Sequence, residues 1–181
     1  AIAFDEQGRI LFKSQKPVKT VYPKSGLAEH DASELLDTQL AVLDEVLAGI
    51  KGIAVPVSCG MAAQRSTVIF WDRNTGRPLC PALSWQDGRG LLELEQADLN
   101  LKEVYLKTGL NKTPYYSASK ITWCMKNIPE VRKAMDEGTL MTGPVSAFII
   151  WHLTKGEVFA SDPTMLQRTL LLNINRLEWD D

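Results

Sequence analysis

The sequence has 181 residues, of which 45% are apolar and 23% are charged, typical of one globular domain or one lobe of a larger protein. Its formal net charge is -2, and both signs are scattered, so no basic stripe suggests nucleic acid as a partner. No apolar run reaches the roughly 18 residues that span a bilayer, and the start does not resemble a signal peptide. Three cysteines without a Cys-x-x-Cys spacing and two isolated histidines favour a reduced, cytoplasmic protein with no metal site.

The first third of the chain predicts a hairpin followed by a long helix. Residues 1–4 and 9–12 are short apolar runs, and the Gly8 between them supplies the positive φ of a tight turn. Residues 16–26 carry two prolines and several lysines and predict a loop or an irregular edge strand. Asp31, followed three residues later by Glu34, is typical of a helix start. The buried face of this helix is predicted from one apolar stripe: Leu36, Leu40, Leu43, Leu47 and Ile50.

The remaining elements alternate between strands and helices. Strands are predicted from the apolar runs at 53–58, 67–71, 78–84 and 169–174, the first of them buried on both faces. Helices are predicted at 88–106 with a break near 99–100, at 117–127, 129–137 and 144–153, and from Asp162 onward. This order favours an α/β fold with a mixed β-sheet flanked by helices, in one domain over 1–181.

Five motifs, in order along nearly the whole chain, resemble the FGGY carbohydrate kinases, and the pattern is nearest to their glycerol kinase branch. They are AQRSTVIFWDRNTGRPL with PALSWQDGR (63–79, 81–89), KTGL (107–110), PYYSASK (114–120), LMTG with IWHLT (140–143, 150–154), and RTLLLNI with LEWD (168–174, 177–180). The resemblance implies an actin-like, ribonuclease-H-like lobe, one of two lobes between which ATP and a polyol meet.

The same resemblance implies that this chain is the substrate-binding N-terminal domain, cut at both ends and separated from the nucleotide-binding lobe. ATP and Mg²⁺ would then act in the parent protein, and no catalytic, cofactor-binding or metal-binding residue is expected within the chain. We expect the isolated piece to be inactive. Because removal of the second lobe would expose an apolar face, we also expect it to be sticky or to form a homodimer.

Four residues are predicted to contact a small polyol or sugar substrate: Arg65, Ser66, Trp85 and Tyr115. By resemblance, Arg65 supplies donors to adjacent hydroxyls, Trp85 forms an aromatic wall, and Tyr115 contributes its phenol. Ser66 departs from the glycerol kinase pattern, which has Glu at this position. The shorter hydroxyl leaves room for a larger polyol or sugar, although Ser66 could equally be a plain strand residue.

Two further residues, Gln64 and Asp87, are predicted to orient Arg65 or the strand ends through hydrogen bonds. Five other aromatic residues are assigned to packing: Trp71, Tyr116, Trp123, Trp151 and Trp179. The sequence thus predicts part of an ATP-dependent sugar or polyol kinase. The open alternatives are a regulatory or interaction module that kept the lobe without its chemistry, and an unrelated α/β domain.

Overall fold

A computed structural model describes residues 1–180. The elements in chain order are β1 (Ile2–Phe4), β2 (Ile10–Lys13), β3 (Glu29–His30), α1 (Ala32–Gly49), β4 (Val68–Asp72), β5 (Ala82–Leu83), α2 (Leu91–Gln96), α3 (Leu101–Thr108), α4 (Ser117–Asn127), α5 (Pro129–Asp136), β6 (Leu140–Pro144), α6 (Val145–Leu153), α7 (Pro163–Leu166), β7 (Leu172–Asn173) and β8 (Glu178–Trp179). Within the described residues, no helix has both the length and the apolar character needed to cross a membrane.

The central sheet has four strands in the order β3-β5-β4-β6. Strand β4 pairs with β6 along its whole length, from Val68 opposite Pro144 to Asp72 opposite Leu140. All strand pairings in the described chain are antiparallel, including those of the two-stranded sheets β1-β2 and β7-β8. The order of the strands places the start of β4 beside the end of β5, and both of these ends lead into the predicted site residues.

Strand β4 is buried on both faces because its alternate side chains enter two different cores. Ile69 and Trp71 belong to a core that includes residues of α1 and α6. Val68 and Phe70 belong to a second core that includes residues of α4 and α5. All four side chains are at most 1% exposed, so β4 is held firmly and fixes the position of the residues that immediately precede it.

Several predicted elements are confirmed. The β1-β2 hairpin turns through Gly8 at a φ of 77°, a conformation that glycine adopts at no steric cost. The Asp31 side chain caps α1 by accepting hydrogen bonds from the backbone amides of Ser33 and Glu34. Helix α4 covers the predicted residues, and α5 begins at Pro129 as predicted. The break between α2 and α3 ends at Asn100, whose side chain caps α3.

The prediction of a buried strand at 53–58 is wrong. These residues form no strand, and Ile53, Val55 and Val57 are 70%, 84% and 96% exposed. A strand of this kind needs a neighbour that satisfies its backbone hydrogen bonds. Within the described chain β1 pairs only with β2, and no strand pairs with residues 53–58.

The predicted buried face of α1 is displaced by one residue. The helix buries Ala32, Leu35, Val42 and Val46, and only Ile50 of the predicted stripe is fully buried. Leu47 is 42% exposed, whereas Leu36, Leu40 and Leu43 are half-buried. Two adjacent apolar rows run along α1, and periodicity alone does not tell which of them faces the sheet.

The later strands are also shorter than predicted or were not predicted. Strand β6 was not predicted, because Gly143 and Pro144 make its sequence resemble a loop. Only Ala82–Leu83 of the run at 78–84, and only Leu172–Asn173 of the run at 169–174, form strands. Trp179, assigned to packing, is 56% exposed on β8, because β8 is the edge strand of a two-stranded sheet.

Candidate functional site

The predicted substrate residues line one cavity of about 360 Å³. Its wall consists of Gln64, Arg65, Ser66, Trp85, Thr113, Tyr115, Tyr116 and Arg168. These residues come from the turn before β4, the end of β5, the loop before α4, and the 3₁₀ turn that follows α7. The volume is in the range of small-molecule sites, and the lining combines hydrogen-bond donors with aromatic rings.

Arg65 and Ser66 lie next to each other in the turn before β4, but Ser66 is buried and Arg65 is exposed. Ser66 has a φ of 66°, in the left-handed region, and is 7% exposed. Its hydroxyl donates to the backbone carbonyl of Arg168 over 3.4 Å, and its own carbonyl accepts from the Ser117 hydroxyl over 3.4 Å. Arg65, by contrast, is exposed and makes no hydrogen bond or ion pair within residues 1–180. The Arg65 guanidinium is therefore available to a ligand.

Two exposed aromatic rings form one side of the cavity. Trp85 is 47% exposed and Tyr115 is 51% exposed. Their ring centroids lie 6.4 Å apart at an interplanar angle of 68°, an edge-to-face arrangement. An aromatic surface of this kind can pack against the C–H faces of a polyol while the hydroxyls meet polar groups.

Gln64 is connected to Trp85 through the hydroxyl of Thr67. The Trp85 backbone amide donates to Thr67 Oγ1 over 3.1 Å, and Thr67 Oγ1 donates to Gln64 Oε1 over 3.0 Å. Thr67 is fully buried, whereas Gln64 and Trp85 are exposed, so both bonds lie at the boundary between the core and the cavity. The two bonds join the turn before β4 to the end of β5.

Asp87 lies behind the cavity and does not line it. It is fully buried and accepts two hydrogen bonds from the Arg89 guanidinium, each over 2.8 Å, and one from the Ala28 amide over 2.8 Å. Burial opposes ionisation of Asp87, but the bonds from Arg89 and from the backbone hold its pKa below the usual range. Arg89 also pairs with Glu29 over 2.5 Å and lies 5.0 Å above the Trp123 ring. Asp87 thus stabilises the segment that follows β5, and it forms no hydrogen bond or ion pair with Arg65.

Lys120 on α4 joins the two parts of the aromatic wall. This side chain is fully buried, and its Nζ donates to the Ser84 carbonyl over 3.0 Å and to the Tyr115 carbonyl over 2.8 Å. Burial lowers the pKa of the Lys120 ammonium to about 7. We did not predict this role, since a lysine in a helix normally points to solvent.

Arg168 and Tyr116 were also not predicted as site residues. Arg168 Nη1 donates to the Tyr116 hydroxyl over 3.3 Å, and the guanidinium lies 5.7 Å from the centre of the Tyr116 ring. Tyr116 is half-buried and lines the cavity, so its assignment to inward packing is corrected. The lysine and the arginine both lie in motifs that support the resemblance, but their chemistry depends on partners far away in sequence.

Within residues 1–180 there is no group of three or more His, Cys, Asp or Glu side chains placed to hold a metal ion. The cavity lining carries no carboxylate.

An α/β lobe whose cavity sets hydrogen-bond donors beside an aromatic wall is typical of a domain that binds a small carbohydrate. The chain matches the family model of the N-terminal domain of the FGGY family of carbohydrate kinases over residues 1–181, and it belongs to this family. It is 40% identical to a glycerol kinase of Natranaerobius thermophilus and 41% identical to one of Agathobacter rectalis. These alignments cover 100% and 99% of the chain and 37% of each relative. The chain thus spans just over a third of the length of these relatives.

Solved structures agree with the family assignment. A glycerol kinase of Plasmodium falciparum, determined with ADP, superimposes with a TM-score of 0.91 at 34% identity, covering 99% of this chain and 36% of that one. A xylulose kinase of Rhodospirillum rubrum superimposes with a TM-score of 0.86 at 20% identity over the same shares, which shows the fold alone. The predicted fold class, a lobe of the actin-like sugar kinases, is confirmed.

Proposed function

We propose that the full-length protein transfers the γ-phosphoryl group of ATP, with Mg²⁺, to a hydroxyl of a small polyol or sugar bound in this cavity. The observation that supports the proposal is the convergence of Arg65, Trp85 and Tyr115 on one cavity of about 360 Å³. In this reaction the substrate hydroxyl oxygen bonds to the γ-phosphorus, the bond from that phosphorus to ADP breaks, and the hydroxyl proton passes to a base.

The residues of this chain would bind and orient the acceptor. Arg65 presents a planar fork of donors that fits two adjacent hydroxyls. Trp85 and Tyr115 restrict the carbon chain from one side, so that a chosen hydroxyl points out of the cavity. Gln64 and Asp87 act indirectly, because they hold the strand ends from which Arg65 and Trp85 project.

The test is ADP release by the full-length protein with glycerol, four- and five-carbon polyols, and pentuloses. We expect turnover with at least one acceptor, and we expect Arg65→Gln to raise the KM for that acceptor about 10- to 100-fold, the effect of a lost charge-assisted hydrogen bond. Arg77→Gln is the matched control, since Arg77 is exposed and does not line the cavity. Acceptor binding without ADP release would support the regulatory module instead.

A further inference from the structure

Two arginines line the candidate cavity, and its lining within residues 1–180 contains no carboxylate. Arg65 and Arg168 both belong to the cavity wall, and the other lining residues are neutral. Neither arginine forms an ion pair within residues 1–180, although Arg89, Arg9 and Arg176 all do. The cavity therefore carries two positive charges on its described wall, and this local excess contrasts with a chain whose net charge is -2.

The position of Arg168 makes its unpaired charge costly. Its Nε is buried and has no hydrogen-bond partner, while Nη1 reaches only the neutral hydroxyl of Tyr116. A buried donor without an acceptor loses its hydration without replacement, and the loss is larger for a charged group. A carboxylate would be a stronger partner for the Arg168 guanidinium than the neutral Tyr116 hydroxyl, because charge-assisted hydrogen bonds are the stronger ones.

At position 66 this chain lacks the negative charge that the glycerol kinase pattern places next to the arginine. The glycerol kinase pattern places Glu after the arginine that corresponds to Arg65, and this chain has Ser66 in its place. The Ser66 hydroxyl is engaged with the Arg168 carbonyl over 3.4 Å, so it anchors the segment that carries the second arginine. Relative to the glycerol kinase pattern, the described lining therefore has one negative charge fewer beside Arg65 and Arg168.

We propose that the acceptor of this site is a polyhydroxy acid, a polyol that carries one carboxylate, and that Arg168 with Arg65 binds this carboxylate. The inference rests on the proposed function, since it names the class of acceptor that the same cavity takes. An anionic phosphate, as a free ion or on a product, shares this chemistry. The experiment therefore separates carboxylate from phosphate.

The experiment compares matched acceptor pairs that differ only in one terminal group: glycerol with glycerate, erythritol with erythronate, and xylitol with xylonate. For the full-length protein, binding is measured by calorimetry and turnover by ADP release. We expect the acid of at least one pair to bind about tenfold more tightly than its polyol, equivalent to one charge-assisted hydrogen bond. We also expect this preference to weaken at high salt.

Variants assign the preference to particular residues. Arg168→Gln should abolish the preference for the acid, Arg168→Lys should keep part of it, and Arg176→Gln should leave it unchanged, because Arg176 lies outside the cavity lining. Ser66→Glu should invert the preference towards the neutral polyol, since it adds a negative charge beside both arginines. The Ser66→Glu and Arg168→Lys variants keep the test valid if Arg168→Gln does not fold.

Three outcomes would overturn the inference. The first is tighter binding of the neutral polyol in every pair, and the second is an acid preference that Arg168→Gln leaves intact. The third is Arg168-dependent binding of inorganic phosphate or glycerol 3-phosphate without any acid preference, which would assign the arginines to the phosphoryl group. Arg168-dependent, acid-selective binding without ADP release would refute the proposed kinase function, and only the assignment of a carboxylate ligand to Arg168 and Arg65 would stand.

Discussion

Lys120 donates a hydrogen bond from its ammonium nitrogen to the carbonyl oxygen of Tyr115 over 2.8 Å, and the same nitrogen donates to the Ser84 carbonyl over 3.0 Å. Ser84 immediately precedes Trp85, so one buried side chain ties together the backbones that carry both aromatic rings of the cavity. The two rings lie 6.4 Å apart, and we infer that this link helps to fix their separation. A buried lysine is costly, and two charge-assisted bonds offset part of that cost.

Lys120→Met should therefore weaken the site more than its distance from the substrate suggests. Methionine fills a similar volume but leaves the two carbonyls without their shared donor. We expect a loss of about 1–3 kcal/mol in stability and a rise in the KM for the acceptor that exceeds the fall in kcat. Melting temperature and steady-state kinetics of the full-length protein check this. The same change at Lys126, exposed on the same helix, is the control, and equal effects of both variants would contradict the role of Lys120.

The pH dependence of stability should also reveal Lys120. Burial lowers its pKa from 10.5 to about 7 in the folded state, whereas the unfolded chain keeps the ordinary value. Between these two values the unfolded state binds more protons, so stability rises as pH increases from about 7 towards 10. The melting temperature of the wild-type protein should therefore rise relative to that of Lys120→Met between pH 7 and pH 9. The corresponding difference in unfolding free energy should change by at most about 1.4 kcal/mol per pH unit.

The neighbours of Lys120 define the control for this measurement. Asp87, Arg89 and Cys124 are the charged or titratable groups that act on the ammonium. Asp87 and Arg89 remain ionised near neutral pH, and Cys124 remains a thiol because its hydrogen bond to Cys80 and its burial raise its pKa. Cys80 has a pKa lowered by its hydrogen bond to Cys124, so the comparison should be repeated in a Cys80→Ser background. Parallel pH curves of the wild type and Lys120→Met there would contradict the shifted pKa.

The sequence predicts local structure well where the signal itself is local. Helix α4 and the start of α1 follow from periodicity and from the Asp31 cap, which involve residues at most a few positions apart. The prediction for residues 53–58 is wrong, because an apolar run does not indicate which neighbouring strand would pair with its backbone hydrogen-bonding groups. Strand β6 shows the converse. This strand contains Gly143 and Pro144, which are uncommon inside strands, yet it pairs with β4, about 70 residues earlier in the chain.

The candidate site shows the same limit. Arg65, Ser66, Trp85 and Tyr115 could be predicted from motifs, and they share one cavity. Lys120 could not, because its two acceptors lie 36 and 5 residues away and only the fold makes it buried. The contribution of Arg168, 102 residues beyond Ser66, likewise requires the tertiary structure.

Asp87→Asn should destabilise the protein strongly and by a distinct route. Asn accepts less well from Arg89, so the buried guanidinium would keep only Glu29 as an ionic partner. Removing one member of a buried ionic network typically costs about 3–5 kcal/mol. We expect a lowered melting temperature at pH 7, with Asp98→Asn, an exposed acidic residue, as the unaffected control.

The stability difference between the wild type and Asp87→Asn should also depend on pH in the acidic range. The pKa of Asp87 is lowered in the folded state, so its stabilising contribution is present above the ordinary aspartate value and is lost as pH falls through the folded value. The difference between wild type and Asp87→Asn should therefore shrink on acidification below about pH 4. A difference that stays constant down to pH 3 would show that Asp87 contributes through packing and not through its charge.

Thr67→Val tests the bonds that join Gln64 to Trp85. Valine matches threonine in shape, yet it removes the hydroxyl that accepts from the Trp85 amide and donates to Gln64. Both bonds are partly buried, so water compensates for their loss only in part, and we expect a loss of about 1–2 kcal/mol in stability. The KM for the acceptor should rise with little change in kcat, since both ends of the connection line the cavity. Thr67→Ser should restore most of the affinity, and Thr122→Val, an exposed threonine on α4, should change neither quantity. An unchanged KM in Thr67→Val would mean that Trp85 is positioned by Lys120 and the packing of β5 alone.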